Sequence, residues 1–186
     1  MEQQRRLTQR GRAHRIRGGL SISILIPLAD GHKIPYAVLR AIAMQTVECD
    51  IVPISRPGGV PSKRASEFEC RNLLRQYATD QCIMMDRTCL FSSDHDVADA
   101  ISAIESRPDM DGLVYNIKGP RPEEWWEMDK RNGHIAIGCI IIRAAALQRF
   151  TFGQLPGETE RCLCRKLNRE MKIDWVDHRI LTEAKE

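Results

Sequence analysis

Short runs of β-branched and other apolar residues, each too short for a core helix, alternate along the chain with stretches of helical period. Ile22-Ser23-Ile24-Leu25-Ile26 predicts a buried strand stopped by Pro27. Asp50-Ile51-Val52-Pro53-Ile54, Cys82-Ile83-Met84-Met85, Gly112-Leu113-Val114-Tyr115-Asn116-Ile117 and the run from Ile135 to Ile142 predict further strands, with a last one over 172–177. Between them, Val38, Leu39 and Ile42 share one face of a helix over 36–45, with Pro35 suited to its first turn. A Pro/Gly-rich loop at 56–61 leads to a helix over about 67–78, and Ser92-Ser93-Asp94-His95-Asp96 supplies cap-type residues ahead of Val97, Ile101 and Ile104. A short helix at 144–149 and another at 158–170 complete the alternation. This order predicts an α/β fold in which one mainly parallel sheet is flanked by helices on both faces, with no second domain.

At 186 residues with 42% hydrophobic side chains, the chain has enough apolar surface for one core. No apolar stretch approaches the roughly 18 residues that span a bilayer, and no apolar segment follows the N-terminal charges; a soluble, cytoplasmic protein is expected. The seven cysteines, Cys49, Cys70, Cys82, Cys89, Cys139, Cys162 and Cys164, read as small core residues, and Cys162-x-Cys164 lacks the second pair that a structural zinc needs. Charge divides the chain. Residues 1–17 carry six arginines (Arg5, Arg6, Arg10, Arg12, Arg15 and Arg17) against Glu2 alone, a net +5, whereas the remainder has 22 basic and 24 acidic residues. Residues 1–19 are therefore read as a flexible basic arm and 20–186 as the folded domain; such an arm is either solvated or a contact for nucleic acid or an anionic membrane surface.

In an open α/β sheet the ligand lies outside the carboxyl ends of the strands, at the point where strand order reverses. Pro27, Leu28 and Asp30, Ser55 and Arg56, and Asp86, Arg87 and Thr88 end the first three strands and are expected to converge. No G-x-G-x-x-G follows the first strand and no G-x-x-x-x-G-K-[ST] occurs, which disfavours a dinucleotide site and a P-loop. The polar, Pro-punctuated segment 118–133 is long enough to be a functional loop, and it holds two of the three tryptophans, Trp125 and Trp126. Indole faces suit sugar rings or bases, and a lid over a bound ligand is the working reading; anchoring of the loop on the core is the alternative.

Several of these segments resemble, in order, the family-2 glycosyltransferases of GT-A fold. Ile24-Leu25-Ile26-Pro27 with Leu39-Arg40-Ala41-Ile42-Ala43-Met44-Gln45-Thr46 is similar to the family's opening strand and "L..aleSilaQT" helix, and Cys70-Arg71-Asn72-Leu73 to its "aRN" helix. Ile83-Met84-Met85-Asp86-Arg87-Thr88 sits where the metal-binding "lflDxD" falls, Gly138 to Arg143 looks like "tGfmliRre", and Gly157 to Arg165 looks like "gEDvdfClR". The similarity covers about residues 20–180.

The resemblance implies inverting transfer of a sugar from a nucleotide-diphosphate sugar to an acceptor hydroxyl, the acceptor being unspecified. It implies Mn2+ or Mg2+ at the diphosphate, with Asp86 as ligand and Thr88 and His178 beside it. Asp86 has a second reading, as a strand-end acid capping the next turn. Thr88 replaces the second acid of DxD, and the later Asp94-His95-Asp96 reads as a helix cap. Arg87 and Arg71 are candidates for the diphosphate, with Ser55 and Arg56 standing where the family has a nucleotide-binding carboxylate. Glu158 is the candidate base, although Thr159 stands in the family's Asp position. Loss of these acids leaves a different class open, a degenerate fold that only binds nucleotide, glycan or a protein partner.

Overall fold

The computed structural model describes residues 21–28, 32–55, 80–118, 139–149 and 170–183. The basic arm, the helix expected over 67–78, nearly all of that over 158–170 and the Trp125-Trp126 segment lie outside them. The described elements are β1 (Ser21–Leu28), α1 (Tyr36–Ala43), β2 (Glu48–Ser55), β3 (Gln81–Met85), β4 (Cys89–Phe91), α2 (Asp96–Glu105), β5 (Gly112–Lys118), β6 (Cys139–Arg143), α3 (Ala144–Arg149) and β7 (Ile173–Glu183). The alternation read from the apolar runs is therefore present.

All seven strands form one sheet in the order β2-β1-β3-β6-β5-β7-β4. Five run the same way: β1 is parallel to β2 and β3, and β5 is parallel to β7. β6 is antiparallel to both β3 and β5, and β4 is antiparallel to β7. The sheet is thus mostly parallel in strand direction but mixed, because β6 enters the middle against its neighbours.

Strand alternation divides the core between the two faces. Ile22, Ile24, Ile26, Ile83, Met85, Leu113, Tyr115, Cys139 and Ile141 lie on one face with Val38 and Ile42 of α1 and with Val97, Ala100, Ile101 and Ile104 of α2. Leu25, Cys82, Met84, Val114, Ile140 and Ile142 lie on the other with Ala146 and Leu147 of α3. Both faces are covered, which is why these strands read as continuous apolar runs. Each large aliphatic side chain taken out of water contributes roughly 1.5–3 kcal/mol.

Two boundaries differ from expectation, each for a local reason. β1 does not stop at Pro27 but runs to Leu28. Its pairing with β3 covers only Ser23, Ile24 and Leu25, whereas pairing with β2 continues to Leu28, so the missing N–H of Pro27 falls where one side of the strand has no partner. Pro53 is tolerated in β2 because β2 is an edge strand. β7 extends well past residue 177, to Glu183, since its second half acquires a new partner in β4, a strand too short to announce itself by period. Among the described residues no helix is long and apolar enough to cross a membrane.

Candidate functional site

The shared direction of β1, β2, β3, β5 and β7 brings their carboxyl ends to one edge of the sheet. Leu28 lies opposite Ser55, and β3 ends beside them at Met85, which pairs with the first residue of β6, Cys139. β5 reaches the same edge at Lys118, opposite Thr182 of β7. Of the residues expected to converge, Pro27, Leu28, Ser55, Asp86, Arg87 and Thr88 are placed by the strands on this edge. Asp30, Arg56, Arg71, Glu158, Trp125 and Trp126 lie outside the described residues.

Asp86 is the chemical centre of the described edge. β3 delivers it at the end of a strand whose previous four residues are buried, and Asp86, Arg87 and Thr88 are themselves half-buried. Its Oδ1 accepts the Thr88 backbone N–H at 2.9 Å and the Thr88 hydroxyl at 2.8 Å. The Asp86 carbonyl accepts the Cys89 N–H at 3.1 Å, which closes the turn into β4. The capping reading of Asp86 therefore holds, but it occupies only one carboxylate oxygen: among the described residues no hydrogen bond reaches Oδ2.

The turn is braced from both sides. Behind it β3 pairs with β6; ahead of it Cys89, Leu90 and Phe91 pair with Glu183, Thr182 and Leu181 of β7. His178 lies in an irregularity of β7, ahead of the Leu181–Glu183 stretch that pairs with β4. Val176 pairs with Tyr115 and Arg179 with Asn116, so Asp177 and His178 are extra residues in a bulge, a device that bends a strand and re-aims what it carries.

The expected helix start at 94–96 is real, but its capping is not local. His95 at the N-cap makes no side-chain capping bond; instead Gln45 Oε1 accepts the Val97 N–H at 3.0 Å. Thr46 N–H donates to the Asp94 carbonyl at 2.9 Å. Asp96 is 3% exposed and turns back: its carboxylate accepts the Ser92 and Ser93 N–H groups at 2.6 and 3.0 Å and the Ser93 hydroxyl at 2.9 Å. Asp94 and His95 are exposed, 3.5 Å apart. The literal Asp-x-Asp here does not face a common point, and no group of three or more His, Cys, Asp or Glu among the described residues is arranged to hold a metal.

Burial pushes the Cys139 thiol well above its usual range, with Cys89 and Asp96 adding to the effect. The Tyr115 phenol is likewise raised, by burial first and by Cys139 next, and its hydroxyl has no hydrogen-bond partner. Sequence reasoning missed two supporting residues. Gln45 was visible only as part of a family motif. Arg143 ends β6 and donates from Nε to the Met110 carbonyl at 3.0 Å and from Nη2 to the Ile104 carbonyl at 2.8 Å, tying the α2 C-terminus to the sheet; its place directly after an apolar run was the available signal.

Comparison with solved structures identifies the architecture. TarS 1–349 of S. aureus superposes with a TM-score of 0.68 at 15% identity, over 89% of this chain and 60% of that one. The fold is GT-A-like. The mannosyltransferase PcManGT from Pyrobaculum calidifontis, in complex with GDP-Man and Mn2+, gives a TM-score of 0.63 at 11% identity over 88% of this chain and 56% of its own. Glucosyl-3-phosphoglycerate synthase from Mycobacterium tuberculosis, in complex with Mn2+, UDP-glucose and phosphoglyceric acid, gives 0.58 at 13% identity over 91% and 73%. No family model matches the sequence, and no curated protein does. The chain spans about 60% of the length of the TarS fragment.

The donor set at this edge fits a cation of one particular kind. A single carboxylate with one oxygen engaged is no preformed cage, yet Mg2+ is commonly held by one or two carboxylates together with substrate phosphates and several waters. A cation brought with a diphosphate is compatible with Asp86, and the described residues offer no ligand cage for a resident structural metal.

Proposed function

We propose that the protein is a glycosyltransferase that moves a sugar from a nucleotide-diphosphate sugar to an acceptor hydroxyl with inversion, assisted by Mn2+ or Mg2+. The observation that carries this reading is Asp86, at the carboxyl end of β3 in a GT-A-like sheet, with Oδ2 not engaged in any hydrogen bond among the described residues. Similar structures bind UDP-GlcNAc, GDP-Man with Mn2+, or UDP-glucose with Mn2+, which favours a nucleotide-diphosphate sugar as donor here.

In this reading Asp86 Oδ2 would hold the cation that accompanies the donor's diphosphate, and Arg87 and Arg71 supply fixed positive charge for the phosphate oxygens. Pro27, Leu28, Ser55 and Arg56 line the nucleotide side, and His178 in the β7 bulge stands on the cation side with Asp86 and Thr88. When bound, the cation neutralises charge that develops on the departing diphosphate. Glu158 takes the proton of the acceptor hydroxyl on the face opposite the leaving group, the position an inverting displacement requires. Trp125 and Trp126 cover the acceptor and exclude water. The basic arm at 1–19 is assigned to an anionic partner, nucleic acid or membrane surface.

One observation favours a second reading, binding without turnover: Thr88 stands in place of an acid and spends its hydroxyl on Asp86. The two readings separate in a single series. Calorimetric titration of UDP, GDP and their sugars, with and without Mn2+, is expected to show metal-dependent binding of one nucleotide class, abolished in Asp86→Ala. Release of the nucleoside diphosphate from the bound sugar nucleotide, lost in Glu158→Gln, supports transfer. Binding without release supports the second reading, and no nucleotide binding under any metal condition overturns both.

A further inference from the structure

Thr88 occupies the position where a second carboxylate is expected, and its bonds define a different task. We infer that Thr88 is a positioning residue that clamps Asp86 through one oxygen, so that Asp86 offers a cation a single carboxylate oxygen, Oδ2. The inference rests on the donor-site reading of Asp86 and goes beyond it by fixing how the site holds a cation without its second acid.

Both donors of Thr88 that can reach the carboxylate are spent on the same atom. The backbone N–H lies 2.9 Å and the hydroxyl oxygen 2.8 Å from Asp86 Oδ1. Hydrogen bonds to an ionised acceptor are stronger than neutral ones, and two converging on one oxygen hold the carboxylate plane. The clamp is itself fixed by the sheet rather than by a loose loop. Cys89, the next residue, donates to the Asp86 carbonyl at 3.1 Å and begins β4, which pairs with β7, while Met85, the preceding residue, pairs with Cys139.

Two chemical consequences follow. With Oδ1 accepting two hydrogen bonds, Asp86 is left with Oδ2 for a cation, so it would serve as a ligand through one oxygen. The Thr88 hydroxyl has its proton directed at Asp86, and a neutral hydroxyl is a poorer ligand for a hard cation than the carboxylate it replaces. A cation at this site therefore takes most of its oxygens from water and from the diphosphate. Its binding is conditional on nucleotide, in contrast to a site with two acids that captures metal first.

The test uses the full chain with Mn2+ as the probe metal and the nucleoside diphosphate that the calorimetric series selects. Mn2+ binding is read by electron paramagnetic resonance and calorimetry on the wild type, Thr88→Ser, Thr88→Val and Asp86→Ala. Wild type is expected to bind Mn2+ at least about tenfold more tightly with nucleotide than without. Thr88→Val, which keeps the N–H bond and the β-branched shape but loses the hydroxyl, is expected to weaken nucleotide-dependent Mn2+ binding about tenfold, the loss of one charge-assisted bond. Thr88→Ser restores it to within about twofold, a rescue that packing alone does not produce. Thermal midpoints establish that each variant folds, and Thr88→Ala serves in place of Thr88→Val if the latter does not. Equal Mn2+ affinity in Thr88→Val and wild type, or a Thr88→Ser variant as weak as Thr88→Val, overturns the clamp. Tight Mn2+ binding without nucleotide overturns the single-oxygen site. Binding that survives in Asp86→Ala marks a failure of the donor-site reading itself, and the clamp falls with it.

Discussion

Gln45, at the exit of α1, caps α2 through Val97, a residue 52 positions later in the chain: its Oε1 accepts the Val97 N–H at 3.0 Å. The same carboxamide donates from Nε2 to the Ala41 carbonyl at 3.1 Å and to the Ser93 carbonyl at 2.8 Å. One amide thus satisfies an orphan N–H of one helix and joins the end of another to the loop that follows β4. The Asp86 turn lies directly upstream of that loop.

Gln45→Leu removes all three bonds while keeping most of the volume. A lost helix cap costs about 0.5–2 kcal/mol, so the thermal midpoint is expected to fall by roughly 2–6 °C. Calorimetric unfolding checks this, and an unchanged midpoint sinks the capping role.

Arg143 answers the same need at the other end of α2. Arg143→Met retains the aliphatic stem but leaves the Ile104 and Met110 carbonyls without its donors, at an expected cost of about 1–3 kcal/mol. Arg143→Lys is expected to recover only part of this, since an ammonium lacks the fork that reaches both carbonyls. Urea unfolding of the two variants side by side is the measurement; a lysine variant as stable as wild type contradicts the fork argument.

Gly112 opens β5 against β6, and a Cβ there would lie 3.0 Å from the Ile141 carbonyl oxygen. The obstacle is backbone in the middle of the sheet, which does not yield as a side-chain tip does. Gly112→Ala is expected to destabilise by about 1–3 kcal/mol despite the usual benefit of replacing glycine. A neutral or stabilised variant would show that β6 shifts freely at this point.

Burial raises the Cys49 thiol to about 11, with Asp50 adding to it, and raises Cys82 to about 12; Cys139 is also raised well above its usual range. Thiols of the unfolded chain ionise near their ordinary pKa of about 8.5. Above that pH the unfolded state binds fewer protons than the native state, so stability falls as pH rises through about 9 to 12 and is insensitive to these groups below about 8. Denaturant midpoints across that range are expected to decline. Cys82, Cys89 and Cys139, all buried, are expected to resist a thiol reagent at pH 8 until the protein unfolds. Rapid modification of Cys82, Cys89 or Cys139 in the native protein contradicts their burial.

The sheet was legible because both of its faces are covered. Ile24 to Ile26, Cys82 to Met85 and Leu113 to Tyr115 are apolar without polar interruption, and α1 and α2 show their buried stripes at helical spacing. Local pattern carries no information on which strand lies beside which, and so the antiparallel entry of β6 and the pairing of β4 with β7 were out of its reach. The position of Asp86 at a strand end followed from the apolar run before it. Its bonds to Thr88 did not, because a residue two positions on serves equally as ligand, cap or clamp until the turn is built. Gln45 and Arg143 were hidden for another reason: each acts on backbone groups tens of residues away.

The placement of β6 has a consequence for how the chain acquires its fold. β1, β2 and β3 form one parallel set and β5 with β7 another, and among the described strands β6 alone joins them, pairing with β3 on one side and β5 on the other. A nascent chain that ends before Cys139 can form the first sheet but has nothing to hold β5, and it leaves the β3 edge open to any passing strand. The joining step comes late in synthesis and closes long loops, conditions that slow folding and expose intermediates to aggregation. Substitutions in Ile140, Ile141 and Ile142 are therefore expected to lower the yield of folded protein out of proportion to their effect on its stability once formed.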